Sequence, residues 1–182
     1  MASQFLLLMV GLVFALINFQ IGRFEILPDF IGYLLIGFSS HNLSQYTAKF
    51  RIARNIALPL LILSVLRYFL APRGAEILFL INSILEISLI WFVLAAAIKF
   101  SRERERPDLA ENGLKYRRIY VAIAVVDFLF RVAGYFQPES AQGFIALMSI
   151  AFVIVLGLIL HLFYVIREDI ALKIDGTIFP NH

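Results

Sequence analysis

The chain predicts an all-α fold, a polytopic bundle of six transmembrane helices. Three observations carry this. Apolar residues make up 61% of the 182 positions, well above the ~45–50% of ordinary soluble domains. Charged residues are only 16% and fall in clusters between long apolar runs, the pattern required when each helix must cross ~30 Å of hydrocarbon with ~20 apolar residues. The runs are continuous rather than alternating, which favours helices over barrel strands. The length suits one bundle and leaves no room for a second globular domain.

The spans fall at about 5–19, 26–40, 52–71, 75–100, 114–136 and 144–166, followed by a short cytoplasmic tail at 169–182. Met1-Ala-Ser-Gln4 carries no basic residue and no small-residue cleavage site follows Phe19, so the first run reads as a retained span rather than a signal peptide.

Orientation follows from the basic residues. Lys49, Arg51 and Arg54 lie between spans two and three. Lys99, Arg102, Arg104, Arg106, Lys115, Arg117 and Arg118 lie between spans four and five, and Arg167 and Lys173 follow span six. Twelve of the sixteen basic residues thus fall on one side. The positive-inside rule makes that side, and both termini, cytoplasmic. The net charge of +3 therefore reads as loop anchoring and not as nucleic-acid binding. Tyr46, Tyr116, Tyr120 and Tyr164 fall at the inner interface and Tyr68 and Tyr135 near the outer one, as aromatic belts do. Tyr33, inside span two, is the exception.

A weak internal repeat accompanies this plan. Phe50-Arg51 and Tyr116-Arg117 open spans three and five, and Tyr68-Phe69 before Pro72 and Tyr135-Phe136 before Pro138 close them. One helical hairpin used twice in the same orientation explains the pattern, with spans one and two as a diverged third copy. The segment 101–118 is expected to be the main soluble loop. Pro107-Asp108 should start a turn and Asn112-Gly113 end it. Its roles are a solvated connector, or a docking surface for a cytoplasmic partner or anionic lipid.

Ionisable groups inside hydrocarbon cost ~2.5–3.5 kcal/mol each on insertion scales, so those that occur single out candidate sites. Glu86, Asp127, Arg67 and Arg131 are such groups, with His161 nearer the inner side. At 1.5 Å per residue Glu86 and Asp127 both come out ~13–17 Å deep, near the midplane, and Arg67 and Arg131 ~6–8 Å below the outer edge. Asn82 stands four residues before Glu86, and Arg131 four after Asp127, so each pair shares a helix face. Two readings follow. One is a buried network that fixes helix register, in which losing one partner costs ~3–5 kcal/mol. The other is a proton- or ion-coupled site of a small transporter or permeation protein, in a cavity lined by spans three, four and five, with the arginines as counter-ions or anion ligands.

The stretch Arg23-Phe-Glu25 through Pro28-Asp29 and Tyr33 is the polar interruption before span two. Pro28 suits the first turn of a short span and Asp29 compensates its dipole. A re-entrant loop would contradict the basic-residue count. Asp29 and Tyr33 share a face, and with Glu25 and Arg23 they form a candidate outer mouth, where Glu25 or Asp29 would meet an outer arginine.

Other chemistry finds little footing. The chain has no cysteine, which excludes disulfides, thiol catalysis and thiolate metal sites. Its three histidines, His41, His161 and His182, lack ligand spacing, so no metal and no cofactor are expected. No hydrolase, metalloprotease or phosphate-cradling motif occurs. This leans away from an enzyme, with a headgroup-modifying activity using Asp29 and the outer arginines as the remaining variant. Gly11-x-x-x-Ala15 and Ala53-x-x-x-Ala57 read as helix-packing patterns, and the 18 phenylalanines as core or lipid-facing fill. The partners expected are the bilayer, a small solute or ion, and a second copy or a membrane partner subunit; a non-catalytic adaptor acting through 101–118 is the rival reading.

Ile26-Leu-Pro-Asp-Phe-Ile-Gly-Tyr33, followed by Phe50-Arg-Ile-Ala-Arg54, resembles small multispanning proteins of Gram-positive bacteria that have no assigned activity. The resemblance covers about the first third of the chain. It implies a bacterial cytoplasmic membrane and brings no site residue with it.

Overall fold

The computed structural model describes the backbone of residues 1–16, 20–21, 24–25, 29–69, 75–136 and 138–178, with their side chains except at 20–25, 67–77, 79, 131, 133–143, 145–146 and 173–178. Six helices account for almost all of it: α1 (Ala2–Leu16), α2 (Asp29–Leu43), α3 (Ala48–Phe69), α4 (Ala75–Glu103), α5 (Pro107–Phe136) and α6 (Pro138–Ile178). Between α1 and α2, β1 (Gln20–Ile21) pairs antiparallel with β2 (Phe24–Glu25). Each helix packs against the next in sequence and α6 packs back against α1. The result is a closed ring of three antiparallel hairpins.

The helices are unequal, and this shapes the interior. α1 and α2 have 15 residues each, or ~22 Å, whereas α4 and α5 have 29 and 30. The short pair is held tightly. A Cβ on Gly32 would lie 2.4 Å from the Ala15 backbone nitrogen, and one on Gly11 would lie 3.0 Å from the Gly32 carbonyl oxygen. Only the absence of side chains lets these backbones approach so closely. The small-residue pattern at Gly11 and Ala15 is therefore a packing seam. Ala53 and Ala57 are likewise buried, and Gly37 faces the Ala57 methyl.

Four aromatic rings close the ring of helices at the end that holds the chain's first residues. Phe5 of α1 meets Phe50 of α3, Phe100 of α4 and Phe163 of α6 at centroid distances of 6.3, 5.3 and 6.1 Å. All four are buried. Apolar side chains also cover the outside. Leu6, Leu34, Phe38, Leu58, Ile62, Ile84, Leu129 and Ile150 are exposed, and each helix contributes large apolar groups to this outer surface.

Among the described residues, two helices are long and apolar enough to cross a membrane, Leu80–Glu103 and Leu147–Leu172. The expectation of six spans is therefore met only in part. α1 and α2 have 15 described helical residues each and so fall below the length required of a span. Over the described residues α3 is interrupted by Arg51, Arg54 and Asn55, and α5 by Lys115, Arg117, Arg118 and Asp127.

The segment 101–118 is not a loop. α4 runs to Glu103 and α5 begins at Pro107, leaving a three-residue connector. Arg106 N–H donates to the Ser101 carbonyl (3.0 Å) and Glu105 N–H to that of Arg102 (3.1 Å), with Glu105 at φ 60°. This is a Schellman cap with glutamate where glycine usually sits. Pro107 starts the next helix as expected. Asn112-Gly113 does not end it, because Gly113 is a packing residue: its Cβ would lie 2.8 Å from Ile98 and 3.4 Å from Leu162. The tail is not a separate segment either, since α6 continues through Asp169 to Ile178.

Arg106 ties the connector to that extension. It pairs with Asp169 of α6 and, at 2.9 and 3.0 Å, with Asp108. The Arg106 bond holds the Asp108 carboxyl below its ordinary range. The pair's contribution is therefore present at neutral pH and is lost only as pH falls below ~4 through the depressed value. Both groups are largely solvated, so this contribution is small.

The seam yields a direct stability test. Gly32→Val should lower stability in detergent by about 1–3 kcal/mol through overpacking. Gly157→Ala should be neutral or stabilising by up to ~1 kcal/mol, because nothing lies within 4 Å of a Cβ there. Thermal unfolding midpoints of the two variants check this.

Candidate functional site

A cavity of about 400 Å³ lies where α1 and α2 stop. Ala15 and Leu16, the last residues of α1, and Asp29, the first of α2, form one side. α4 contributes Asn82, Ser83, Glu86 and Ile87. α5 contributes Tyr120, Ala124, Asp127 and Phe128, and α6 contributes Ser149, Phe152 and Leu156 among others. The mixture is three carboxylates, one amide and several hydroxyls set among apolar and aromatic walls, the composition typical of small-ligand sites.

Glu86 is the best-defined group in it. Asn82 donates from Nδ2 to Glu86 Oε1 at 2.8 Å, as the shared helix face predicts. Tyr33 donates its hydroxyl to the same oxygen from α2, across the ring. Tyr33 is itself buried. A half-buried carboxylate gains from such donors, since each charge-assisted bond is about twice as strong as a neutral one. Asp127 is 9% exposed and lines the same cavity one helix further on. The expected shared depth of Glu86 and Asp127 thus becomes a shared wall.

Several expectations shift. The cavity is bounded by α1, α2, α4, α5 and α6; among the described lining residues none comes from α3, which packs between α2 and α4. Tyr33 serves as the second donor to Glu86. Tyr120 is not an interfacial tyrosine: it is 3% exposed and stands in the cavity wall, its ring edge-on to Phe152 at 5.9 Å. Tyr46 and Tyr164 do lie exposed as a belt requires. Asp29 heads α2 and reaches the cavity. The side chains of Arg67 and Arg131, the side chain of Glu25, and Arg23 lie outside the described residues, and so does the pairing proposed for them. His161 is exposed, and His41 Nδ1 accepts from the Arg54 guanidinium at 3.0 Å. Among the described residues no group of three or more histidines and carboxylates lies close enough to hold a metal ion.

Ser83, Ser149, Phe128 and Phe152 went unread in the sequence. Ser83 sits three residues before Glu86, on the same helix face, and that spacing was available as a signal. Ser149 and Phe152 stand in an unbroken apolar run and have none.

The geometry defines a helical ring with an acidic, hydroxyl-lined chamber that is open on one side. Comparison with protein-family models, with curated proteins and with solved structures returns no match.

The two donors on one oxygen can be tested together. Tyr33→Phe should cost about 0.6–1.7 kcal/mol, the range of interhelical hydrogen bonds in membranes. Combined with Asn82→Ala, the loss should depart from additivity by at least ~0.5 kcal/mol, because both act on Glu86 Oε1. A double-mutant cycle on unfolding in detergent reads this.

Proposed function

We propose that this chain is a six-span protein of a bacterial cytoplasmic membrane that passes a small solute or ion through the chamber beside Glu86 and Asp127. The observation that carries the reading is the chamber itself: about 400 Å³, with Asp29, Glu86 and Asp127 brought to it by three different helices. A register-fixing network needs no such space. Ionisable groups at that depth are retained in transporters and relays because they exchange protons or ions with a pathway. Two further facts support the membrane setting. Two helices meet the requirement for a span, and the outer surface of every helix carries exposed apolar side chains. Such a surface is suited to lipid and ill suited to water.

Glu86 and Asp127 act as the exchanging carboxylates, with Tyr33 and Asn82 holding Glu86 in place. The ring of three hairpins suits a parallel repeat, and the likeness to Gram-positive membrane proteins is consistent with this setting. The aromatic knot at Phe5 closes the cytoplasmic end. The adaptor reading loses its main support, since 101–118 is largely helix and its connector is pinned by Arg106.

Proton flux in proteoliposomes under an imposed pH gradient, followed with an enclosed pH dye, tests the proposal. Glu86→Gln and Asp127→Asn should stay helical and lose the pH-dependent flux. If both variants unfold, the carboxylates are structural.

Topology has its own check, because the chain lacks native cysteine. Single cysteines at Gln45 and Glu105 should react with impermeant thiol reagents only from the cytoplasmic side, and those at Arg73 and Glu139 only from outside. Any other partition defeats six spans.

A further inference from the structure

Trp91 is the sole tryptophan of the chain. It lies on α4 and is 39% exposed among the apolar side chains of the outer surface. The Arg117 guanidinium of α5 stacks on its ring, 4.1 Å from the centroid. Arg117 Nε is buried and has no hydrogen-bond partner among the described residues. Arg118 is next to it and Arg102 follows on α4. Among the described residues, no carboxylate forms a salt bridge with any of the three.

Three cations with no salt-bridged carboxylate among the described residues, at the edge of an apolar surface, suit an anion. A guanidinium flattened on an aromatic face keeps its in-plane donors free for a bidentate oxyanion. Trp91 lies five residues after Glu86 on α4, ~7.5 Å further toward the inner side, and long arginines reach from such a depth toward the headgroup level while their stems stay in the apolar layer. We propose that Arg117, Arg118 and Arg102, with Trp91 as the platform, form a binding site for the phosphate of an anionic phospholipid in the inner leaflet. The exposed apolar flank beside Trp91 takes the acyl chains, which a free phosphate would leave uncovered. This site rests on the membrane-spanning reading and is separate from the chamber.

Fluorescence of Trp91 reports on the site alone. The full-length protein is reconstituted in phosphatidylcholine vesicles that contain, at equal mole fraction, acyl-brominated phosphatidylglycerol or acyl-brominated phosphatidylcholine. Each arginine holding a headgroup should enrich the anionic lipid about fivefold locally, so brominated phosphatidylglycerol should quench Trp91 more strongly. That preference should fall to parity in Arg117→Gln and weaken in the Arg102→Gln/Arg118→Gln double variant. It should persist in Lys99→Gln, a nearby cation paired with Glu103 at 3.5 Å. Equal quenching by the two lipids in the unaltered chain, or equal losses in Lys99→Gln and Arg117→Gln, overturns the assignment alone. Abolition of the preference by inorganic phosphate overturns the lipid as the occupant. Quenching by neither lipid overturns the membrane placement as well.

Discussion

Glu86 sets the terms for the rest of this structure. A carboxylate inside an apolar ring is tolerable only where donors are fixed around it. Asn82 is supplied by the same helix, one turn away. The second donor, Tyr33, has to come from α2 on the other side of the interior. That demand fixes how α2 is rotated and how deep it sits. Tyr33 then brings Asp29 with it, four residues earlier, to the edge of the chamber.

The chamber exists because two helices are short. α1 and α2 end where α4, α5 and α6 continue, and among the described residues no helix of the short pair walls that end. Gly11, Ala15 and Gly32 make the short pair narrow as well as short, since their backbones nearly touch. At the opposite end the interior is filled, by Phe5 against three other phenylalanines. Polar space above and aromatic fill below divide one bundle into a site and a seal. Arg106 reinforces the sealed end by joining the α4–α5 connector to the extension of α6.

Much of this was legible from residue patterns, for identifiable reasons. Helix number and order follow from apolar runs that nothing else would use. The Asn82–Glu86 bond follows from i, i+4 spacing, and the start of α5 from Pro107. The small-residue seam was readable because close helix approach has few other causes. What could not be read were facts set across the ring. No local pattern links Tyr33 to Glu86, 53 positions apart, or moves Tyr120 from an interface into a wall. Asn112-Gly113 misled because glycine as a packing residue and glycine as a helix stop look alike in sequence. The charged stretch 101–118 misled similarly: its alternating charges suit a solvated helix as well as a loop. α3 was expected to line the site because Arg67 lies at a suitable depth; that side chain lies outside the described residues, and none of the described lining residues comes from α3.

The central claim is a chamber within the membrane that is reached from outside and closed toward the cytoplasm by the Phe5 knot. Ser149 lines that chamber and is exposed. The most direct measurement is modification of a Ser149→Cys variant, reconstituted in sealed vesicles of known orientation, by an impermeant thiol reagent added to one side at a time. The account predicts modification from the outer side alone. Modification from the cytoplasmic side, or from neither, would contradict it.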